Sequence, residues 1–132
     1  MNLISDIKRE EGFVGTVYKD SLGFDTVGYG TKMPIDEEEA ELLLIHRLNK
    51  LKSELQARFD RVILYEEAWQ VLYAMAYQLG VNGVMKFKNM VSALRAQDYN
   101  KAADEMLDSL WAKQTPARAK RLSIVMRSLK RV

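Results

Sequence analysis

The sequence predicts a mainly helical α+β protein: a small N-terminal lobe with a β-hairpin, joined by a long helix to a larger all-helical C-terminal lobe. Three observations predict it. One β-prone, glycine-rich segment lies near the N-terminus, an unbroken helical pattern follows it, and the remainder alternates helical patterns with short polar interruptions. At 132 residues, 48% hydrophobic and 29% charged, the chain suits a single domain over 1–132 that can bury a core without staples.

The N-terminal segment "NLISDIKREEG" reads as a short amphipathic helix, about 2–11, in which Leu3, Ile4 and Ile7 share a face and Gly12 supplies a stop. Thr16-Val17-Tyr18 and Phe24 to Tyr29 are β-prone runs separated by the polar "KDSLG", so a hairpin is expected there and no other sheet. The small lobe is placed at about 12–35.

Asp36 with Glu39 three residues on, and the apolar series Leu44, Leu48, Leu51, Leu55, Phe59, then predict a connecting helix at about 37–58. It would be about 33 Å long at 1.5 Å per residue. "EEAWQVLYAMAYQLG" is apolar nearly all round, as befits the centre of a helical lobe. Shorter helices are expected at about 84–95, 99–112 and 117–130, punctuated by "GVNG", "AQDYN" and "KQTPAR". The helical lobe thus covers about 60–132, and the N-terminal helix 2–11 is assigned to it.

Composition excludes several chemistries. There is no cysteine, hence no disulfide framework or cysteine zinc site, and His46 is the only histidine, remote from any nucleophile motif. Neither a metal nor another cofactor is expected. The N-terminus lacks a basic start followed by an apolar run, and no window approaches the ~18 apolar residues of a membrane span. No signal peptide and no stable membrane insertion are therefore expected, and synthesis is expected in the cytoplasm.

Net charge is only +2, but Arg118, Lys120, Arg121, Arg127, Lys130 and Arg131 crowd the C-terminus while Asp36 to Glu41 is acidic. The basic face could meet nucleic acid, anionic lipid or a polyanionic wall, or could simply be solvated.

The stretch "EEGFVGTVYKDSLGFDTVGYG" holds five of the seven glycines. On a second strand, Thr26, Gly28 and Gly30 would share one face of nearly bare backbone, an arrangement that tolerates close approach of a ligand. Glu11 falls about 30° from the centre of the Leu3/Ile4/Ile7 face, where apolar surroundings and the helix C-terminus would disfavour its charge. Asp20 sits in a polar turn beside Lys19, which would favour the anion. Carboxyls pushed apart in this way suit glycosidic cleavage. Solvated structure explains a helix-end glutamate and a turn aspartate equally, and spacing leaves both readings open.

The order Glu11, eight residues, Asp20, five residues, Thr26, then "VGYG", resembles the catalytic signature of the T-even phage lysozymes, which are peptidoglycan-cleaving glycosidases. "AYQLGVNGVMKF", with Gln78, and "AADEMLDSLWAKQTPARAKR", with Trp111, Gln114 and Arg118, are similar to later parts of that family, so the resemblance spans nearly the whole chain. It implies a lysozyme-like fold and an inverting muramidase that cuts the β-1,4 bond between N-acetylmuramic acid and N-acetylglucosamine.

By that resemblance Glu11 would be the general acid, Asp20 the carboxylate that assists water and the developing cation, and Thr26 the hydroxyl that positions the water. Gly28, Gly30, Gln78 and Arg118 would contact substrate, with the glycan between the lobes and Arg118 near Glu11. Trp111 reads more readily as core than as a sugar platform. Inversion implies carboxyls in the roughly 6.5–9.5 Å class.

The sequence departs from the family in its short "TKMPI" before the long helix and in Thr31, where relatives often carry a histidine. The partner would be bacterial peptidoglycan, acted on in the periplasm by a monomer, with no nucleic acid. The rival readings are a lytic transglycosylase, a non-catalytic wall-binding or virion module, and a basic helical nucleic-acid binder.

Overall fold

A computed structural model describes residues 2–131; Met1 and Val132, the ends of the expected domain, lie outside the described residues. Contacts divide the chain into two units, Met1–Leu44 and Ile45–Val132. The fold is mainly helical α+β, with its one sheet near the N-terminus among the described residues.

The first unit opens with α1, Leu3–Glu11, capped by Asn2, whose side chain accepts from the Ser5 amide at 3.1 Å. Gly12 closes it by donating to the Lys8 carbonyl at 2.9 Å. Strands β1 (Val14–Lys19), β2 (Asp25–Gly28) and β3 (Thr31–Lys32) form an antiparallel sheet in the order β1-β2-β3. The expected hairpin is therefore the larger part of a three-stranded meander.

On β1, Val14 and Tyr18 face Gly28 and Thr26 of β2, so four positions oppose two and the ladder is irregular between them. Thr26 in the middle strand faces Tyr18 on one side and Lys32 on the other. It is the one buried residue of the first unit among those described, at 1% exposed.

Helix α2, Glu37–Arg58, has the 22-residue length read from the sequence. Its start is a reciprocal capping box: the Glu39 amide donates to Asp36 Oδ1 at 2.8 Å, and the Asp36 amide donates to Glu39 Oε1 at 3.1 Å. Of its apolar series, Leu44 is exposed, Leu48 and Leu51 are half-buried, and Leu55 and Phe59 are buried.

The second unit continues with α3 (Glu66–Leu79), α4 (Val81–Met85), α5 (Lys88–Arg95), α6 (Tyr99–Leu107), α7 (Leu110–Gln114) and α8 (Pro116–Arg127). Two expected helices are each divided. The stretch about 84–95 breaks at Phe87, whose ψ of 66° is not helical, and "GVNG" leads into α4 instead of separating helices. The stretch about 99–112 breaks at Asp108-Ser109, where the Ser109 side chain starts a new helix by accepting from the Ala112 amide at 3.1 Å.

Leu72, Leu94 and the four methionines Met75, Met90, Met106 and Met126 have no solvent exposure in this core. Leu122, Val125 and Leu129 pack against it, so the apolar face of the basic C-terminal segment is spent on the interior. Among the described residues no helix is long and apolar enough to cross a membrane.

Candidate active site

Five of the seven site residues expected from the sequence, Glu11, Asp20, Thr26, Gly28 and Gly30, fall in the first unit, and Gln78 and Arg118 in the second.

Asp20 organises the turn between β1 and β2. Its Oδ1 accepts from the amides of Leu22 at 2.9 Å and Phe24 at 2.8 Å, while its own amide donates to the Phe24 carbonyl at 2.9 Å. Its Oδ2 accepts from the ammonium of Lys32 on β3. The Lys32 hydrogen bond first, and the Phe24 amide next, hold the Asp20 carboxyl below the usual carboxylate range. The same hydrogen bond, donated to Asp20, holds the Lys32 ammonium above its usual range, with the negative charge of Glu11 adding to the effect.

The expected anion is thus present, with a different cation responsible. Lys19 turns instead to Asp25, at 2.7 Å. Sequence proximity suggested Lys19 because it precedes Asp20, but successive strand residues point to opposite faces. Lys32, twelve positions away, was missed; the signal that could have found it is its β-register opposite Thr26.

Glu11 ends α1 and is exposed, as are Leu3, Ile4 and Ile7 at 58%, 65% and 40%. Since no residue of α1 is buried, the apolar setting expected for Glu11 is absent. Its carboxylate lies against Gly30: a Cβ there would sit 2.6 Å from Glu11 Oε2. The run Gly30-Thr31-Lys32 therefore connects the surroundings of both acids.

The bare strand face is corrected too. Gly28, two places after Thr26, ends β2, and Gly30 lies outside the strand in the following turn, with φ of 72° and 73°, so both glycines serve left-handed backbone at the β2–β3 turn and Gly30 does not extend the strand face of Thr26. Gly30→Ala is expected to cost about 1–2 kcal/mol through that backbone and to push the flexible Glu11 carboxylate aside. The shift of the urea-unfolding midpoint measures that cost.

The Thr26 hydroxyl donates to the Phe24 carbonyl at 2.9 Å, which leaves its lone pairs to accept. Thr31, on β3, pairs with Val27 and is exposed.

In the second unit, Gln78 is exposed and its Oε1 accepts from Trp111 Nε1 at 3.0 Å, which leaves the amide NH2 as donor. Trp111 is 4% exposed and meets Phe87 edge-on at 6.1 Å between ring centres, consistent with a core role. A groove of about 600 Å³ lined by Phe87, Met90, Glu105, Leu110, Trp111 and Gln114 lies beside it. Arg118 is exposed near the start of α8. Among the described residues no three His, Cys, Asp or Glu side chains gather as a metal site.

The family model for phage lysozyme matches residues 8–130. The pre-baseplate central spike protein Gp5 of Enterobacteria phage T4 is 28% identical over 162 aligned residues, covering 96% of this chain but 28% of that protein. The probable T4-type lysozymes 1 and 2 of Dictyostelium discoideum are 27% and 25% identical, with 91% and 88% of this chain and 90% and 88% of those proteins covered. Since the family match takes in the whole sheet, the long helix and every helix after it, the chain belongs to the phage lysozyme family.

Proposed function

We propose that the protein is a peptidoglycan hydrolase, a muramidase that cleaves the β-1,4 bond between N-acetylmuramic acid and N-acetylglucosamine by inverting acid/base hydrolysis. The observation that carries this reading is the charge-fixed Asp20 in the same small unit as Glu11 and Thr26, inside a family match over 8–130. Glu11 would protonate the leaving oxygen. Asp20 would stabilise the oxocarbenium-like transition state and assist the water.

Thr26, its proton committed to Phe24, would accept a hydrogen bond from that water. At 1% exposed, the hydroxyl admits water only when the side chains covering it shift. Gly28 and Gly30 would let glycan approach the turn backbone, and the Gln78 amide and Arg118 would contact glycan. The protein would act as a monomer on the periplasmic wall after synthesis in the host cytoplasm, and lyse the cell.

Digestion of purified peptidoglycan followed by mass spectrometry tests the reaction. Free reducing muramic ends are expected; anhydro ends would assign a lytic transglycosylase, and intact polymer would reject catalysis. The match to a spike protein over 96% of this chain favours a second reading, a lysozyme module carried by a virion. Detection of the chain in purified particles would select it over a free lysis enzyme.

A further inference from the structure

Asp20 is bound more completely than a water-activating carboxylate requires. Two backbone amides occupy Oδ1 and the Lys32 ammonium occupies Oδ2. The amides belong to the turn that Asp20 itself closes, so they come with the fold of the hairpin. Lys32 is different: it arrives from β3, opposite Thr26, and its ammonium also lies 5.4 Å from the centre of the Phe24 ring. The Lys32 side chain is more than half exposed, and its ammonium has two partners near Asp20, a carboxylate oxygen and an aromatic face.

We propose that Lys32 is a positioning residue which clamps Oδ2 of Asp20 from the facing strand, and so fixes both the direction and the negative charge of that carboxylate. The functional part rests on the muramidase reading above. With three donors on its four acceptor positions, Asp20 is a weaker proton acceptor than a free carboxylate and a persistent negative charge, suited to facing a developing sugar cation while one position on Oδ2 stays open to the water. Its contribution is electrostatic, and it persists into acid.

The surrounding charged and titratable groups agree with this. Glu11 at the end of α1 and Tyr18 on β1 both favour the charged Lys32. Lys19 on β1 and Asp25 on β2 satisfy each other.

A carboxylate held below its unfolded value contributes stability above that unfolded value and loses it as pH falls through the folded one; the raised Lys32 loses its contribution only as pH rises through its own elevated value. The clamp is therefore complete from mildly acidic to mildly alkaline pH.

The test is Lys32→Gln and Lys32→Arg, read in two ways. Neither substitution touches the Oδ1 hydrogen bonds that hold the turn. Carbon-detected NMR titration of the Asp20 carboxyl should show a higher midpoint in Lys32→Gln than in the native protein, with Lys32→Arg close to native. The acid limb of kcat/KM on peptidoglycan should move to higher pH in Lys32→Gln, with a greater fractional loss at pH 4 than at pH 7, and Lys32→Arg should restore it.

Equal Asp20 midpoints would overturn the proposal, and so would a shifted midpoint with an unmoved acid limb. A shifted midpoint in a native protein that releases no reducing ends would reject the hydrolase reading and leave the clamp standing.

Discussion

Glu11→Gln is expected to lower the release of reducing ends from peptidoglycan by about 10²–10⁴-fold, the range a positioned general acid supplies. Glutamine preserves the side chain's size and its carbonyl oxygen against Gly30, and removes only the transferable proton. Because Glu11 is exposed and no residue of α1 is buried, the substitution should leave folding intact. The adjacent Glu10→Gln, also exposed, is the control and should retain native turnover. Initial rates with circular dichroism of each variant decide the matter. Turnover of Glu11→Gln within a few-fold of native would remove this residue from the chemistry.

Leu72→Ala is expected to destabilise the helical unit by about 2–5 kcal/mol, the range for a leucine deleted from a packed interior. Leu72 lies on α3 with no exposed surface, beside Val71, Met75 and Ala76 of the same buried cluster. A loss of that size is a large part of the stability of a small protein. Ile124→Ala on α8, where the side chain is 58% exposed, should change stability by less than about 0.5 kcal/mol. Urea unfolding followed by helical ellipticity measures both. A midpoint shift without a slope change would assign the effect to native stability.

What the sequence made legible was local. The Asp36/Glu39 capping box and the period ending at Leu55 and Phe59 define α2, because both signals act within one or two turns. The polar turn at Asp20 was legible on similar grounds. What escaped depended on partners distant in the chain or on backbone sign. Lys32 reaches Asp20 only through the β2–β3 pairing, and Gly28 and Gly30 are set by positive φ, which strand alternation cannot reveal.

The break at Phe87 carries no proline or glycine, the usual markers of an interrupted helix. Glu11 differs for another reason: the helical period gives the face of Leu3, Ile4 and Ile7, but not whether anything covers it. The chemistry proposed for Glu11, Asp20 and Thr26 rests on resemblance to a family, since spacing alone fits solvated structure equally well.

The four solvent-free methionines give the interior of the helical unit four oxidisable sulfurs. Peroxide reaches a thioether at Met75, Met90, Met106 or Met126 only when the helices part, and the sulfoxide it leaves is too polar to be repacked. Each oxidation would therefore record a breathing event and make the next one easier. In a protein released into an oxidant-rich setting, the lifetime would be governed by how often those four sulfurs are uncovered.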